Sequence, residues 1–268
     1  MLVADLARDL ACSLDPVALA RRAGIEPDAW QREVLRATEA QLILNCSRQS
    51  GKSTTTSVLA AHTAVYQPGS LSLLLSPSER QSIELLRKVK EVLAALGTGA
   101  EEIEHDNTTA IETTSGSRIL ALPGKEETIR TYSGVKLIAI DEASRAPDTL
   151  YYALRPMLAV SGGRLVLLST PFGKRGFFFK EWTEGGDDWR RFAIPAERCP
   201  RIAPAFLAQE RRTLPRHVYR QEYGCEFIEA AGSAFDGDDI AAMFGGLAVE
   251  ATPTPAADPL EAYRSFFV

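Results

Sequence analysis

The chain is poor in the residues that build covalent or metal-held frameworks. Its four cysteines, Cys12, Cys46, Cys199 and Cys225, are scattered and form no C-x-x-C pair. That spacing excludes a zinc ribbon or a disulfide scaffold and leaves buried, reduced thiols as the expectation. The three histidines, His62, His105 and His217, have no neighbour at ligand spacing, and no role is assigned to them. No run approaches the roughly 18 apolar residues of a membrane helix. The N-terminus carries acids at Asp5 and Asp9 and lacks the basic start and apolar stretch of a secretory signal. The expected location is therefore a cytoplasm, with no membrane partner. Excess positive charge is missing too, and a net charge of −5 argues against coating nucleic acid over the whole surface. Local basic clusters stand at Lys174 and Arg175, at Arg190 and Arg191, and at Arg211, Arg212, Arg216 and Arg220, the last equally a solvated helix face.

What is present suffices for a sizeable core: 268 residues, 45% of them hydrophobic, fit one large α/β domain or two small ones. Short apolar runs at 42–45, 71–76, 119–122, 137–140 and 165–168 read as strands, and 53–66, 78–96 and 147–158 read as helices. This alternation predicts a mainly parallel sheet flanked by helices. The stretch 110–123, with Thr-Thr-Ser-Gly-Ser at its centre, reads as a hairpin inserted in that scheme. Further elements are expected at 177–183, 191–194, 206–212 and 217–223, too little for a second nucleotide-binding domain. From Ala248 the composition is that of a Pro-rich linker, ending in an apolar strand start at 263–268.

The most informative segment is 41–54, an apolar strand running through Ser47-Arg48-Gln49-Ser50-Gly51-Lys52-Ser53-Thr54 into a helix. It reads as a phosphate-binding loop. Backbone N–H groups at a helix N-terminus cradle phosphate oxygens, Lys52 reaches the β- and γ-phosphates, and the Ser53 hydroxyl ligates Mg²⁺. The first glycine of the usual pattern is replaced by Cys46. A second segment, 136–143, is an apolar strand that emerges in two carboxylates. Asp141 would hold Mg²⁺, and Glu142 would orient the water that attacks the γ-phosphate. On an extended strand end the two acids are expected on opposite sides. Together the segments predict ATP or GTP hydrolysis. Ser169 and Thr170, at the end of the strand in the run 164–171, carry hydroxyls placed to sense the γ-phosphate. Upstream, the Gln31 amide offers both a donor and an acceptor to an adenine edge, which favours ATP.

These motifs, in this order and with Leu154-Arg-Pro-Met-Leu158 and the run 168–177, resemble the ATPase domain of tailed-phage terminase large subunits over about residues 27–235. The resemblance implies a P-loop NTPase of the RecA/ASCE type, α/β with a small C-terminal extension. It divides the chain into an N-terminal helical segment (1–26), an ATPase domain (27–235, core 27–171 and small subdomain 172–235), and a linker with the start of an absent nuclease domain (236–268). By position, Gln31 matches the adenine-binding glutamine, Lys52 and Ser53 the Walker A pair, Asp141 and Glu142 the Walker B pair, and Ser169 to Pro171 the coupling motif. Arg48 is read as a phosphate contact in cis, and Arg130 or Arg145 as the arginine reaching a neighbouring subunit. The implied activity is translocation of double-stranded viral DNA into a procapsid in the host cytoplasm. ATP and Mg²⁺ are the implied cofactors; the portal protein, the small terminase subunit and a homo-oligomeric ring are the implied partners. A nuclease usually follows in this family. Because Asp236, Asp238 and Asp239 precede the linker, they read as a loop or cap, and no nuclease activity is expected.

Two other readings share parts of this pattern. A helicase would use the same glutamine, loop and Ser-Thr-Pro turn but needs a second nucleotide-binding core. A truncated terminase would bind nucleotide and partner subunits with little turnover.

Overall fold

The computed structural model describes residues 3–97, 103–124, 126–129 and 131–229. Backbone contacts divide the chain into a unit of residues 1–230 and another of 231–268, and all described residues lie in the first. Arg130, the acids at 236, 238 and 239, and the expected linker and strand start lie outside the described residues.

Three helices open the chain: α1 (Val3–Leu14), α2 (Pro16–Arg22) and α3 (Ala29–Arg36). Asp15 starts α2 by accepting from the Val17 N–H at 3.0 Å, and Arg36 of α3 reaches the same carboxylate at 2.7 Å. Val17, Leu19 and Ala20 of α2 and Trp30, Val34 and Leu35 of α3 are buried in the main core, so the N-terminal helical segment docks directly on it. There follow β1 (Gln41–Cys46), α4 (Lys52–Tyr66), β2 (Leu71–Ser76), α5 (Glu79–Ala95), β3 (Ile103–Asp106), β4 (Ala110–Thr113), β5 (Arg118–Pro123) and the short α6 (Glu126–Ile129). The rest is β6 (Leu137–Asp141), α7 (Asp148–Leu158), β7 (Arg164–Ser169), α8 (Gly176–Glu184), β8 (Trp189–Ile194), α9 (Pro204–Thr213) and α10 (Arg216–Glu222).

The eight strands form one sheet in the order β3-β4-β5-β2-β6-β7-β1-β8. From β5 to β8 every pairing is parallel; β3 and β4 add an antiparallel edge. The expected hairpin is the β4–β5 pair, turned at Gly116 (φ 78°). Strand pleat then sorts the core into two layers. Leu42, Leu44, Leu74, Ala139, Val166 and Leu168 face one side, under α2 to α5. Ile43, Leu73, Leu75, Ile138, Ile140, Leu165 and Leu167 face the other, under α7 and α8. Because helices cover both faces, the central strands are apolar at most positions, with Asn45, Ser72 and Ser76 among the buried exceptions, which is why they read as nearly continuous runs in the sequence.

The structure adds to the sequence reading at the two edges of the sheet. β3, Ile-Glu-His-Asp, is a strand although three of its four residues are exposed; at the sheet edge it pairs with β4 alone and its charged residues suit that position. β8 pairs with β1 over Gln41–Cys46 and so extends the main sheet at its other edge.

The turn entering β7 shows how tightly the layers are set. A Cβ at Gly163 would lie 2.1 Å from the Val135 carbonyl oxygen and 2.8 Å from Leu158 Cδ2. Backbone cannot yield as a flexible side chain does, so Gly163→Ala is expected to destabilise the fold by about 1–3 kcal/mol. Chemical denaturation measures this, and a midpoint equal to that of the unmodified chain would refute the close approach.

Candidate phosphate-binding site

β1 ends at Cys46, and the chain turns through 47–51 into α4. Gln49 (φ 55°) and Gly51 (φ 98°) both take left-handed backbone, which folds the loop back over the helix start. No side chain caps α4, and its first N–H with a backbone acceptor is that of Thr55, on Gly51 O at 3.1 Å. Unpaired N–H groups and the positive end of the helix dipole therefore meet at one place, which suits an anion. A cavity of about 410 Å³ opens here, lined by Ile25, Gln31, Gln49, Gly51, Lys52, Ser53, Thr54, Lys88 and Arg201. A larger hollow of about 610 Å³ lies against α7 and contains none of these residues.

The loop and the acidic pair converge although they are 88 residues apart: Ser53 Oγ lies 3.4 Å from Asp141 Oδ2. Lys52 Nζ lies 3.1 Å from Glu142 Oε1. The two acids do not sit on opposite sides of a strand, contrary to expectation. Glu142 leaves β6 in the left-handed region (φ 52°, ψ 40°), and this turn brings its carboxylate round to Lys52. The bend is fixed by hydrogen bonds from the Glu142 N–H to Asp141 Oδ1 at 2.9 Å and from the Arg145 N–H to Glu142 O at 2.9 Å.

Burial sets the charge states. Burial pushes the Asp141 carboxyl above its ordinary range; Lys52 pulls it part of the way back, and the Glu142 charge adds to the rise. For Lys52, burial opposes the ammonium, but Glu142 and Asp141 outweigh it and the net shift is upward. The site thus holds one secure cation between two carboxylates. The donor set of one hydroxyl and one carboxylate, next to a loop shaped for phosphate, fits Mg²⁺, which takes few protein ligands and completes its octahedron with water and phosphate oxygens.

The other expected residues fall as follows. Gln31 reaches the loop but is 2% exposed. Its Oε1 accepts from the Asp28 N–H at 2.8 Å, and its Nε2 donates to Thr55 Oγ1 at 3.0 Å and Gly51 O at 3.3 Å. In this structure its amide caps α3 and braces the loop, so reading a base would require it to exchange these partners. The Arg48 guanidinium pairs with Glu222 at the end of α10, and its own N–H donates to Glu222 O at 3.0 Å. Ser50 is fully buried, and its carbonyl accepts from Arg201 Nη2 at 2.6 Å. Arg145 Nε lies 3.9 Å from Glu142 Oε2, with its guanidinium 3.9 Å from the centre of the Phe172 ring. Ser169 (fully buried) and Thr170 (5% exposed) end β7, the strand between β1 and β6. Ser144 Oγ lies 2.7 Å from Ser169 Oγ and donates to Thr170 O at 2.8 Å.

Sequence reasoning missed Arg201, Lys88 and Ser144, which stand in no local motif. Arg201 comes from the loop before α9 and faces Asp28 Oδ2 at 3.0 Å as well as Ser50 O. Only long-range folding brings it to the loop. The basic pair at Arg190 and Arg191 is also partly excluded as a surface for DNA. Arg191 donates to the carbonyls of Glu181 and Trp182 (2.9 and 2.8 Å) near the end of α8, and to Gly186 O at 2.8 Å, so its guanidinium is structural.

The chain has relatives among known proteins. At 24% identity over 81% of the chain, it resembles the large terminase subunit of Thermus virus P23-45. At 25% identity over 80%, it resembles that of Escherichia phage T5. The chain spans about half the length of these curated relatives, 52% and 50%. Among solved structures, the large terminase ATPase domain of Thermus phage P74-26 superposes with a TM-score of 0.68 at 21% identity, covering 78% of this chain and 97% of that one. The large terminase of a thermophilic bacteriophage, solved in complex with ADP, gives 0.59 at 12%, covering 78% and 53%. The family model for the terminase large subunit, T4likevirus-type, N-terminal, matches residues 43–242, and the chain belongs to that family.

Proposed function

We propose that this chain is the ATP-hydrolysing motor part of a phage DNA-packaging terminase. One observation carries the reading: Lys52 and Ser53 of the loop meet Glu142 and Asp141 at 3.1 and 3.4 Å at the N-terminus of an uncapped helix. Phosphate oxygens bind the N–H groups of residues 49–54, and Lys52 exchanges Glu142 for the β- and γ-phosphates. That exchange frees the Glu142 carboxylate. It then accepts a hydrogen bond from the attacking water, whose oxygen bonds to the γ-phosphorus as ADP departs with the bridging oxygen. Ser53 and Asp141 hold Mg²⁺, which supplies charge neutralisation at the phosphates. Gln31 and Arg201 bound the nucleoside side of the cavity, and Ser169 and Thr170 report the γ-phosphate to the strand between the two motifs. Arg48 becomes a phosphate contact on leaving Glu222, and Arg145 or Arg130 acts on a neighbouring copy.

The whole assembly would be a ring of such subunits that moves double-stranded DNA through a portal protein with a small terminase subunit, in the host cytoplasm. Residues 27–235 would form the motor, with the helical segment 1–26 before it. Family membership supports this role. Of the basic pairs, Lys174, Arg175 and Arg190 have guanidinium or ammonium groups not committed to capping a helix and suit salt-sensitive phosphate contacts.

Lys52→Ala should abolish nucleotide binding and hydrolysis together. Glu142→Gln should retain binding and lower kcat roughly 100-fold or more. Phosphate release and fluorescent-nucleotide titration measure the two effects, and equal hydrolysis by Glu142→Gln and the unmodified chain would refute the assignment.

Asp141 generates a pH prediction of definite sign. A proton competes with Mg²⁺ for its carboxylate, and because burial raises its pKa, Mg²⁺-nucleotide affinity should fall at a pH above the ordinary aspartate value as the medium is acidified. The same shift means that the folded chain binds this proton more tightly than the unfolded one, so ionisation of Asp141 costs stability as pH rises through the folded value. Asp141→Asn should therefore raise the melting temperature of the nucleotide-free chain at neutral pH while weakening Mg²⁺-nucleotide binding. A lower melting temperature would contradict an Asp141 carboxylate that is ionised at a net cost to the fold.

A further inference from the structure

The turn that carries Glu142 is strained, and something must hold it. A non-glycine residue at φ 52° costs energy unless its neighbours over-determine the conformation. On one side the Glu142 N–H is tied to Asp141 within β6. On the other the chain enters a single turn of 3-10 helix, Ala143–Arg145, too short to be stable alone. Ala143 is buried there, but its methyl group fixes no orientation. The polar anchor of this turn is Ser144. Its hydroxyl crosses to the end of β7, 2.7 Å from Ser169 Oγ and 2.8 Å from Thr170 O.

The two hydroxyls make three short contacts, because Ser169 Oγ also reaches Thr170 O at 2.8 Å. Two hydroxyl groups carry two protons. At any moment one contact therefore lacks a proton, and the pair has alternative arrangements. In one, Ser144 donates to Thr170 O and Ser169 donates to Ser144. In another, Ser169 donates to Thr170 O and Ser144 donates to Ser169. The heavy atoms need not move between them. What changes is which hydroxyl keeps both lone pairs free, and Ser169 is the one at the strand end between the two motif strands.

The geometry points to Ser144 as a positioning residue for hydrolysis: it clamps the left-handed turn at Glu142 to the Ser169–Thr170 end of β7 and so aims the Glu142 carboxylate. This rests on the proposed ATPase activity. Ser144 does not line the cavity, and its hydroxyl bonds to Ser169 and Thr170, so its loss should leave nucleotide affinity in place while misaligning the water-orienting group. Small misplacements of a reacting group cost up to about 100-fold in rate.

The test is steady-state hydrolysis of ATP by the unmodified chain, Ser144→Ala, Ser144→Thr, Ser169→Ala and the Ser144→Ala/Ser169→Ala double variant. Ser144→Ala is expected to lower kcat roughly 10- to 100-fold with KM within about two-fold. The threonine variant, which keeps the hydroxyl, is expected to recover most of that loss. The double variant should be no slower than the slower single variant, since both remove one link. An unchanged kcat in Ser144→Ala, a change confined to KM, additive losses, or a threonine variant as slow as alanine would each overturn the assignment while leaving the ATPase reading intact. Failure of both Ser144 variants to fold would also overturn it, because the residue would then be structural. No hydrolysis by the unmodified chain would overturn the ATPase reading, and the Ser144 assignment with it.

Discussion

The site depends on β7 lying between β1 and β6 in parallel register. Asn45 pairs with Ser169, and Leu168 in turn with Asp141, so the C-terminal ends of three strands stand side by side. Each end delivers a different chemistry: a phosphate-shaped loop, two carboxylates, and a pair of hydroxyls. Parallel strands need crossover connections, and here α4 to α7 supply them, which is why residues tens of positions apart in sequence share one edge. A register slip of one residue in β6 would turn Asp141 to the other face of the sheet. Burial on both faces makes that slip costly, so the packing of Ile138 and Ile140 on one side and Leu137 and Ala139 on the other also fixes the Ser53–Asp141 distance.

The loop is also held from the far edge of the sheet. Asn45 Nδ2 donates to Cys225 O at 2.8 Å, the Ser47 N–H to Ile194 O at 2.9 Å, and the Arg48 N–H to Glu222 O at 3.0 Å. β8 and the end of α10 thus buttress the loop, while Gln31 and Arg201 brace its Gly51 side. The phosphate loop is therefore a node of long-range polar contacts. Its backbone shape does not follow from its own eight residues.

That division explains what is legible in the sequence. The core strands are readable because continuous apolar runs of four to six residues have few alternatives once both faces are covered. The loop and the paired acids are readable because their chemistry needs fixed residue types at fixed spacing. β3 is not, because an exposed edge strand carries no hydrophobic period. The direction of Glu142 runs against the sequence expectation, because alternation along a strand stops where the backbone becomes left-handed, and that turn is a tertiary event. Gln31 lies near the loop as its position suggests, but its hydrogen-bond partners are invisible in the sequence: they come from Asp28, Gly51 and Thr55, and only the folded chain brings the last two within reach. Arg201 and Ser144 carry no signal, since one arginine or serine among many acquires meaning only from what it touches.

Backbone strain is distributed in the same way. Among the described residues, three other than glycine have positive φ: Gln49, Glu142 and Cys225. Gln49 belongs to the loop, Glu142 pairs with its lysine, and Cys225 presents the carbonyl that receives Asn45. Everywhere else in the described residues the left-handed region is left to glycine. Each such residue costs of the order of 1–3 kcal/mol, and the fold as a whole is marginal by a few such amounts. The cost is sustainable because the buried sheet beneath is apolar and free of unusual backbone geometry. To it is added the burial of Asp141, whose negative charge Lys52 offsets only in part. The chain therefore concentrates its unfavourable terms at one strand edge. A phosphate that enters the cavity meets N–H groups, an ammonium and a hydroxyl already gathered by that arrangement, and what remains is an exchange of partners, phosphate for Glu142 at Lys52 and for Glu222 at Arg48.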